Sequence, residues 1–400
     1  MTFKYQIGLA GHFNAHRPKL ETLLFARTDE LGIERAQIVI LDDLSKPDLK
    51  SPLVVVFFGY GGAQDSDNAA LTSLLTHSLV VLPCVNAGAA ATFELPPSLR
   101  HINALNFDGT DASFARLVSL VLENLRLLRA ERRLFISYRR AEAQSIAIQL
   151  YERLDAAGFD VFLDTRSVPY GTDFQGILWH RMADSDVVVL LDTPGFRASR
   201  WTREELARAN ATNIQILHLL WPSIVPDSSS AFSEFLSLAT ADFRTAATLG
   251  EDARLTDSKV QDILVHVESL RARALAARHR SLVDNFCDRA RDEKARSVAV
   301  QPQRFIAVEL ANGDPVAVVP TIGVPTAHLY HEIERAVQRA GIKAKEIWLL
   351  YDERGILESW IEHLGWLDEH LPVVSVQVTK SSKYRAGPGN LHSAISGVSA

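Results

Sequence analysis

A chain of 400 residues, 47% hydrophobic and 22% charged, has the make-up of a water-exposed globular protein with several domains. Its formal net charge of -6 does not indicate a general nucleic-acid-binding surface, and its two cysteines, Cys84 and Cys287, exclude a disulfide framework and a cysteine-rich zinc site. The histidines show no HExxH or similar ligand spacing, no apolar run approaches the roughly 20 residues of a membrane span, and MTFKYQIGLAGHF lacks the apolar core of a secretory leader, so the reading is a cytosolic protein without a metal.

Residues 1–130 read as a first α/β domain. QIGLAG is a short strand, Pro18–Leu31 has helical spacing, AQIVILDD is a strand, and PLVVVFFG is a continuous apolar run of the buried parallel type. Ser66–Ser78 fits a helix, LVVLPCV fits another buried strand, and DASFARLVSLVLENLRLL is an amphipathic helix with Asp111 or Ser113 as its cap. Gly59–Gly62, GYGG, is not a phosphate loop, because it lacks the lysine and the spacing.

A second alternating pattern follows at once. RRLFISY is a strand and Ala143–Ala157 a helix. GFDVFLD is a strand, and TRSVPYGTDF is a loop with Pro169 and Gly171 near its tip. Gln175–Ala183 is a helix in which Trp179 reads as core beside Ile177 and Met182. DVVVLLD is a buried strand, SRWTREELARA opens a helix, and NIQILHLLWP is one more strand. Strict alternation with short loops predicts a doubly wound parallel sheet of the flavodoxin-like kind.

The region from VPDSSS to Leu255 carries no clear pattern. Asp257–Arg291 keeps helical spacing through Val260, Ile263, Leu264, Val267 and Leu270, so 274–302 reads as a helical linker. Residues 303–380 read as a small α/β domain. RFIAVELANGDPVAVVP is a hairpin turning at Asn312-Gly313, HLYHEIERAVQRAGI a helix, EIWLLYD a strand, Glu358–Leu371 a helix and PVVSVQVT a last strand. YDERGILESW, at Tyr351–Trp360, fits either a ligand or partner site or a plain polar turn. The tail 381–400 is small, polar and expected to be disordered.

Four segments of the middle region, in order, resemble the Toll/interleukin-1 receptor (TIR) domain family: FISYRR at 135–140, VFLDTRSVPYGTDF at 161–174, ADSDVVVLLDTPGF at 183–196 and SRWTREEL at 199–206. The resemblance places the TIR domain and a trailing helix in 131–273. Some members of the family cleave NAD, and their catalytic glutamate lies four residues after the Trp or Cys of the last motif. Here that is Glu205, four after Trp201, rather than Glu204. Thr202 to Glu205 also fits a capping box, so the same carboxylate fits a helix cap.

The implied activity is NAD+ glycohydrolase, releasing nicotinamide with ADP-ribose or a cyclic variant, in a regulated bacterial immune effector. NAD is then the substrate, and no cofactor is implied. Candidate NAD-contacting residues are Ser137, Tyr138, Arg139, Arg140, Asp164 and Trp201. For each of these a packing or surface role stands beside the binding one. Resemblance also implies a homo-oligomer assembled through the loop Thr165–Phe174, the BB loop, whose tip carries Val168-Pro169-Tyr170. The alternative is a non-catalytic interaction scaffold assembled through that loop, with Glu205 only capping. A third reading has the C-terminal domain bind a nucleotide signal or other trigger and the TIR domain act as its effector. Residues 53–85 can be laid against 187–221, strand on strand, with Ala70 or Leu71 opposite Glu205. On that alignment the first domain is a degenerate TIR-like domain without the chemistry; convergence of α/β domains explains the match equally well.

Overall fold

The computed structural model describes residues 4–45, 47–48, 51–59, 68–76, 79–86, 88–163, 174–196, 214–226 and 233–378. The chain divides into two units, one of residues 1–131 with 257–273 and the other of 132–256 with 274–400.

The first unit is built on a parallel five-stranded sheet. Its strands are β1 (Tyr5–Gly11), β2 (Ile38–Leu41), β3 (Leu53–Phe58), β4 (Val80–Asn86) and β5 (Leu105–Phe107), in the order β2-β1-β3-β4-β5. Every residue of β3 is buried, as its unbroken apolar run predicts for a central parallel strand. Helices α1 (Arg17–Glu30), α2 (Asn68–Thr76), α3 (Ala91–Glu94) and α4 (Asp111–Asn124) connect and follow the strands. Gly11 ends β1 at φ 73°, with the carbonyl of Phe58 where a Cβ would stand, so the residue has to be glycine. The cap of α4 is neither Asp111 nor Ser113. It is Thr110, whose hydroxyl accepts from the Ser113 amide at 3.3 Å and donates to Asp108 at 2.7 Å. Of Thr110, Asp111 and Ser113, Thr110 is the one that precedes the helix with extended backbone, which a cap needs.

The 36-residue helix α7 (Asp257–Asp292) contributes residues to both units. Within the first, Arg271 is fully buried and its Nη1 donates to Glu123 on α4 at 2.7 Å. Ser119 donates to Glu268 at 2.7 Å. A buried guanidinium of this kind is tolerable because a carboxylate and the carbonyls of Arg129 and Glu131 receive its protons.

The second unit holds two sheets. One is parallel: β6 (Arg133–Ser137), β7 (Asp160–Leu163), β8 (Val187–Asp192), β9 (Gln215–Leu220) and β10 (Ser233–Ser237), in the order β10-β9-β8-β6-β7, with α5 (Arg140–Ala156) and α6 (Phe174–Asp184). This repeats the strand order of the first sheet. Phe135, Met182, Val188, Leu190 and Ile216 form one buried cluster, against which Trp179 packs partly buried. Strand β10 lies in the region where the sequence shows no clear pattern. The other sheet is mixed: β11 (Ser297–Val300), β12 (Ile306–Glu309), β13 (Pro315–Pro320), β14 (Glu346–Tyr351) and β15 (Val373–Gln377), paired in that order. The first two pairings are antiparallel and the last two parallel. The β12–β13 hairpin turns through Gly313 at φ 92°. Strand β11 falls inside 274–302, so that stretch is helix only to Asp292. Helices α8 (Ala327–Arg339) and α9 (Glu358–His370) complete this part.

Candidate functional site

In the second sheet the chain passes from β6 outward to β7 on one side and, through β8, outward to β9 on the other. The carboxyl ends of β6 and β8 therefore flank a topological switch point, the place where doubly wound sheets take ligands. The segment 137–140 leaves β6 at this edge and the segment 192–196 leaves β8 beside it, with Ser137 in register with Leu190.

Ser137 and Tyr138 are each only 1% exposed. They form the floor of the edge, and for Tyr138 the structure supports packing rather than an open ring face. Arg139 and Arg140 are exposed at the start of α5. Arg139 is 44% exposed at its side chain, and its Nη1 pairs with Glu142 Oε1 at 2.6 Å. The other oxygen of Glu142 accepts from the Gly195 amide at 3.0 Å. One carboxylate in the first turn of α5 thus ties the two strand ends together across the switch point. Burial alone would raise the Glu142 carboxyl. The Thr193 hydroxyl, the Gly195 amide and the Arg139 charge outweigh it and hold the group below its ordinary value. A Cβ at Gly195 would displace the ends of the Arg139 and Glu142 side chains.

A second network links the three neighbouring strands β8, β9 and β10. Asp192, the last residue of β8, lies 2.8 Å from Nδ1 of His218 on β9, and Nε2 of His218 lies 3.2 Å from the Ser233 hydroxyl on β10. His218 and Asp192 are buried, and the ring stacks on Phe235 with centroids 4.8 Å apart. The Asp192 carboxylate holds the ring through Nδ1, and the Ser233 hydroxyl, able to donate or accept, meets Nε2. This arrangement orients polar groups beside the switch point and satisfies them.

Of the residues the sequence singles out, the structure brings Ser137, Tyr138, Arg139 and Arg140 to this edge. Asp164, Trp201, Glu204 and Glu205 lie outside the described residues, as does the loop Thr165–Phe174 except for Phe174, which opens α6. Glu142, Gly195 and the Asp192–His218–Ser233 set were not legible in advance, since each depends on partners distant in the chain. Among the described residues no group of three or more His, Cys, Asp or Glu side chains is placed to hold a metal, and no helix is long and apolar enough to cross a membrane.

Residues 134–255 match the family model described as TIR domain, and the middle of the chain is a TIR domain. No curated protein matches the chain. Among solved structures, a candidate phosphosugar isomerase from Silicibacter pomeroyi DSS-3 aligns at 12% identity over 70% of this chain and 87% of that one, with a TM-score of 0.20. Proximal thread matrix protein 1 from the mussel byssus aligns at 10% identity over 68% and 97%, also at 0.20. A tagatose-6-phosphate ketose/aldose isomerase from Escherichia coli aligns at 13% over 70% and 84%, at 0.18. At these scores the likenesses carry no argument.

Proposed function

We propose that this TIR domain is an NAD+ glycohydrolase with Glu205 as its catalytic carboxylate. The observation that carries the reading is the sequence SRWTREEL, placed directly after β8, whose carboxyl end flanks the switch point of the sheet. The chemistry asks for little more than one carboxylate. In NAD+ the nicotinamide is bonded as a pyridinium, so when the C1′–N bond breaks the electron pair returns to nitrogen and the ring leaves neutral. No general acid is needed, in contrast to glycosidases with an alcohol leaving group. A carboxylate near the ribose stabilises the positive charge that builds at C1′. Water then bonds to C1′ and gives up a proton, which completes hydrolysis to ADP-ribose; attack by a group of the same molecule gives a cyclic product.

Around that centre, Arg139 and Arg140 supply forked cations for the pyrophosphate, with Arg139 exchanging Glu142 for it on binding. Ser137 and Tyr138 line the floor, and Asp164 and Trp201, which follow β7 and β8 in the sequence, are the further candidate NAD contacts. Self-association through Thr165–Phe174 assembles the active form of a regulated cytosolic defence effector.

The test is nicotinamide release from NAD+ by the full chain at low and high protein concentration, beside Glu205→Ala and Glu204→Ala. Release is expected to rise with concentration, to fall by two orders of magnitude or more, roughly the scale of a lost electrostatic contact, in Glu205→Ala, and to persist in Glu204→Ala. Equal release from all three folded proteins would favour the scaffold reading instead.

A further inference from the structure

Asp192, His218 and Ser233 are brought together by the register of three parallel strands. Leu190 pairs with His218 and His218 with Phe235, and paired residues of neighbouring strands share a face. Asp192 lies two residues beyond Leu190, and Ser233 two before Phe235. All three side chains therefore stand on that face, on a diagonal from β8 through β9 to β10. A slip of one residue in either pairing would send one of them to the opposite face. The contacts follow the diagonal, Asp192 Oδ2 to His218 Nδ1 at 2.8 Å and His218 Nε2 to Ser233 Oγ at 3.2 Å.

This is the order of contacts in a hydrolytic triad: a hydroxyl on an imidazole, and the imidazole held from behind by a carboxylate. Burial is graded in the same order. Asp192 and His218 are buried, and Ser233 is half-buried on β10, the edge strand of its sheet. Phe235 stacks on the imidazole with centroids 4.8 Å apart and holds its plane. The backbone supplies a donor for an oxyanion. The Leu238 amide donates to Leu220, and the direction of the amides alternates along a strand. Glu234, Leu236 and Leu238 thus direct theirs to β9, and Ser233, Phe235 and Ser237 direct theirs away from it. The amide of the nucleophile itself stays out of the ladder, where it can meet the oxygen of a carbonyl bonded to Ser233 Oγ.

We propose that Ser233, His218 and Asp192 form a centre of acyl transfer, which hydrolyses small carboxylic esters. In the reactive form the imidazole is neutral with its proton on Nδ1, facing Asp192, and Nε2 carries the lone pair. Ser233 Oγ bonds to the ester carbonyl carbon as its proton passes to Nε2. The bond from that carbon to the leaving oxygen then breaks, and the departing alcohol takes the proton from Nε2. Water bonds next to the carbonyl carbon of the acyl-serine and gives a proton to Nε2. The bond to Ser233 Oγ breaks, Oγ recovers the proton, and the carboxylic acid leaves. Of the three residues Ser233 alone is not buried, which restricts the acyl group to a short one. The activity uses none of the residues assigned to NAD cleavage.

The experiment treats the full chain with a fluorophosphonate, which bonds through phosphorus to a reactive serine with loss of fluoride, and locates the modified residue by mass spectrometry. Hydrolysis of p-nitrophenyl acetate is followed in parallel. Ser233 is expected to carry the phosphonyl group, at a rate that rises between about pH 5 and 8 as the imidazole loses its proton. Ser233→Ala, a small change at a half-buried position, should reduce ester hydrolysis to the background of free histidine. His218→Gln should slow labelling of Ser233 about a hundredfold or more, the scale of a lost general base. Should that variant fail to fold, the pH dependence of labelling in the unmodified chain reads the same base. Absence of the phosphonyl group from Ser233 would overturn the nucleophile. Labelling that is independent of pH, or undiminished in folded His218→Gln, would overturn the triad. Hydrolysis unchanged in Ser233→Ala would overturn the ester assignment. Glu205→Ala should label and hydrolyse at the unmodified rate, so the result stands or falls apart from the cleavage reading.

Discussion

The first and second sheets are both parallel, both five-stranded and both ordered 2-1-3-4-5 when the strands of each are counted from its own start. Their carboxyl edges differ. At the first, His16 stacks on Phe58 with centroids 4.9 Å apart and meets Phe107 edge-on at 5.1 Å. A buried carboxylate, Glu94, accepts from Asn86 at 3.0 and 3.1 Å and sits where a Cβ on Gly59 would stand. At the second, Arg139, Glu142 and Asp192 bring charge to the switch point. Topology fixes where a site can form, and the side chains at the strand ends decide whether it can do chemistry. A degenerate TIR-like domain and convergence of α/β domains predict this shared order alike.

The largest expected effect separates the buried ion pair of the first unit from the exposed one of the second. Glu123→Ala removes the carboxylate partner of the fully buried Arg271 and should cost about 3–5 kcal/mol. Glu142→Ala breaks a pair whose arginine is 44% exposed and also removes the acceptor of the Gly195 amide, and should cost about 1–2 kcal/mol. Urea unfolding, resolved by hydrogen exchange in α4 and α5, reads both; equal costs would mean that burial does not distinguish the two pairs.

Acid should act on the two edges in different windows, with smaller effects. Burial lowers the His16 imidazole, so unfolding takes up a proton there. Its contribution to stability is complete above the ordinary histidine value of about 6.5 and is lost as pH falls through that region toward the folded value. Glu142 is also lowered in the folded state, so its contribution is complete above the ordinary glutamate value of about 4.3 and is lost only as pH falls through the folded value. Titration by NMR should place each midpoint below its ordinary value, and His16→Phe should flatten the pH dependence of stability near neutrality. A His16 midpoint above about 6.5 would reverse the sign of the first effect.

The parallel strands were legible because LVVVFF and VVVLLD are unbroken apolar runs, which strands buried on both faces require. The hairpin was legible from Asn312-Gly313. β10 and β11 were not: SEFLS and SVAV are short edge strands, half-buried to exposed, and carry no comparable run. The cap of α4 was misplaced because Thr110, Asp111 and Ser113 all have capping side chains, and backbone conformation chooses among them. For the candidate site, the motif residues were legible as a string, whereas the Glu142 tie depends on Gly195 after a different strand, and the Asp192–His218–Ser233 network takes one residue from each of three strands.

The most direct test compares the carboxylates of the two edges in one assay: nicotinamide release from NAD+ by the full chain, by Glu205→Gln and by Glu94→Gln, with folding checked for each. The account predicts release by the unmodified chain and by Glu94→Gln, and its loss in Glu205→Gln. Release that survives in Glu205→Gln, or that disappears in a folded Glu94→Gln, would contradict the assignment of the chemistry to the TIR sheet.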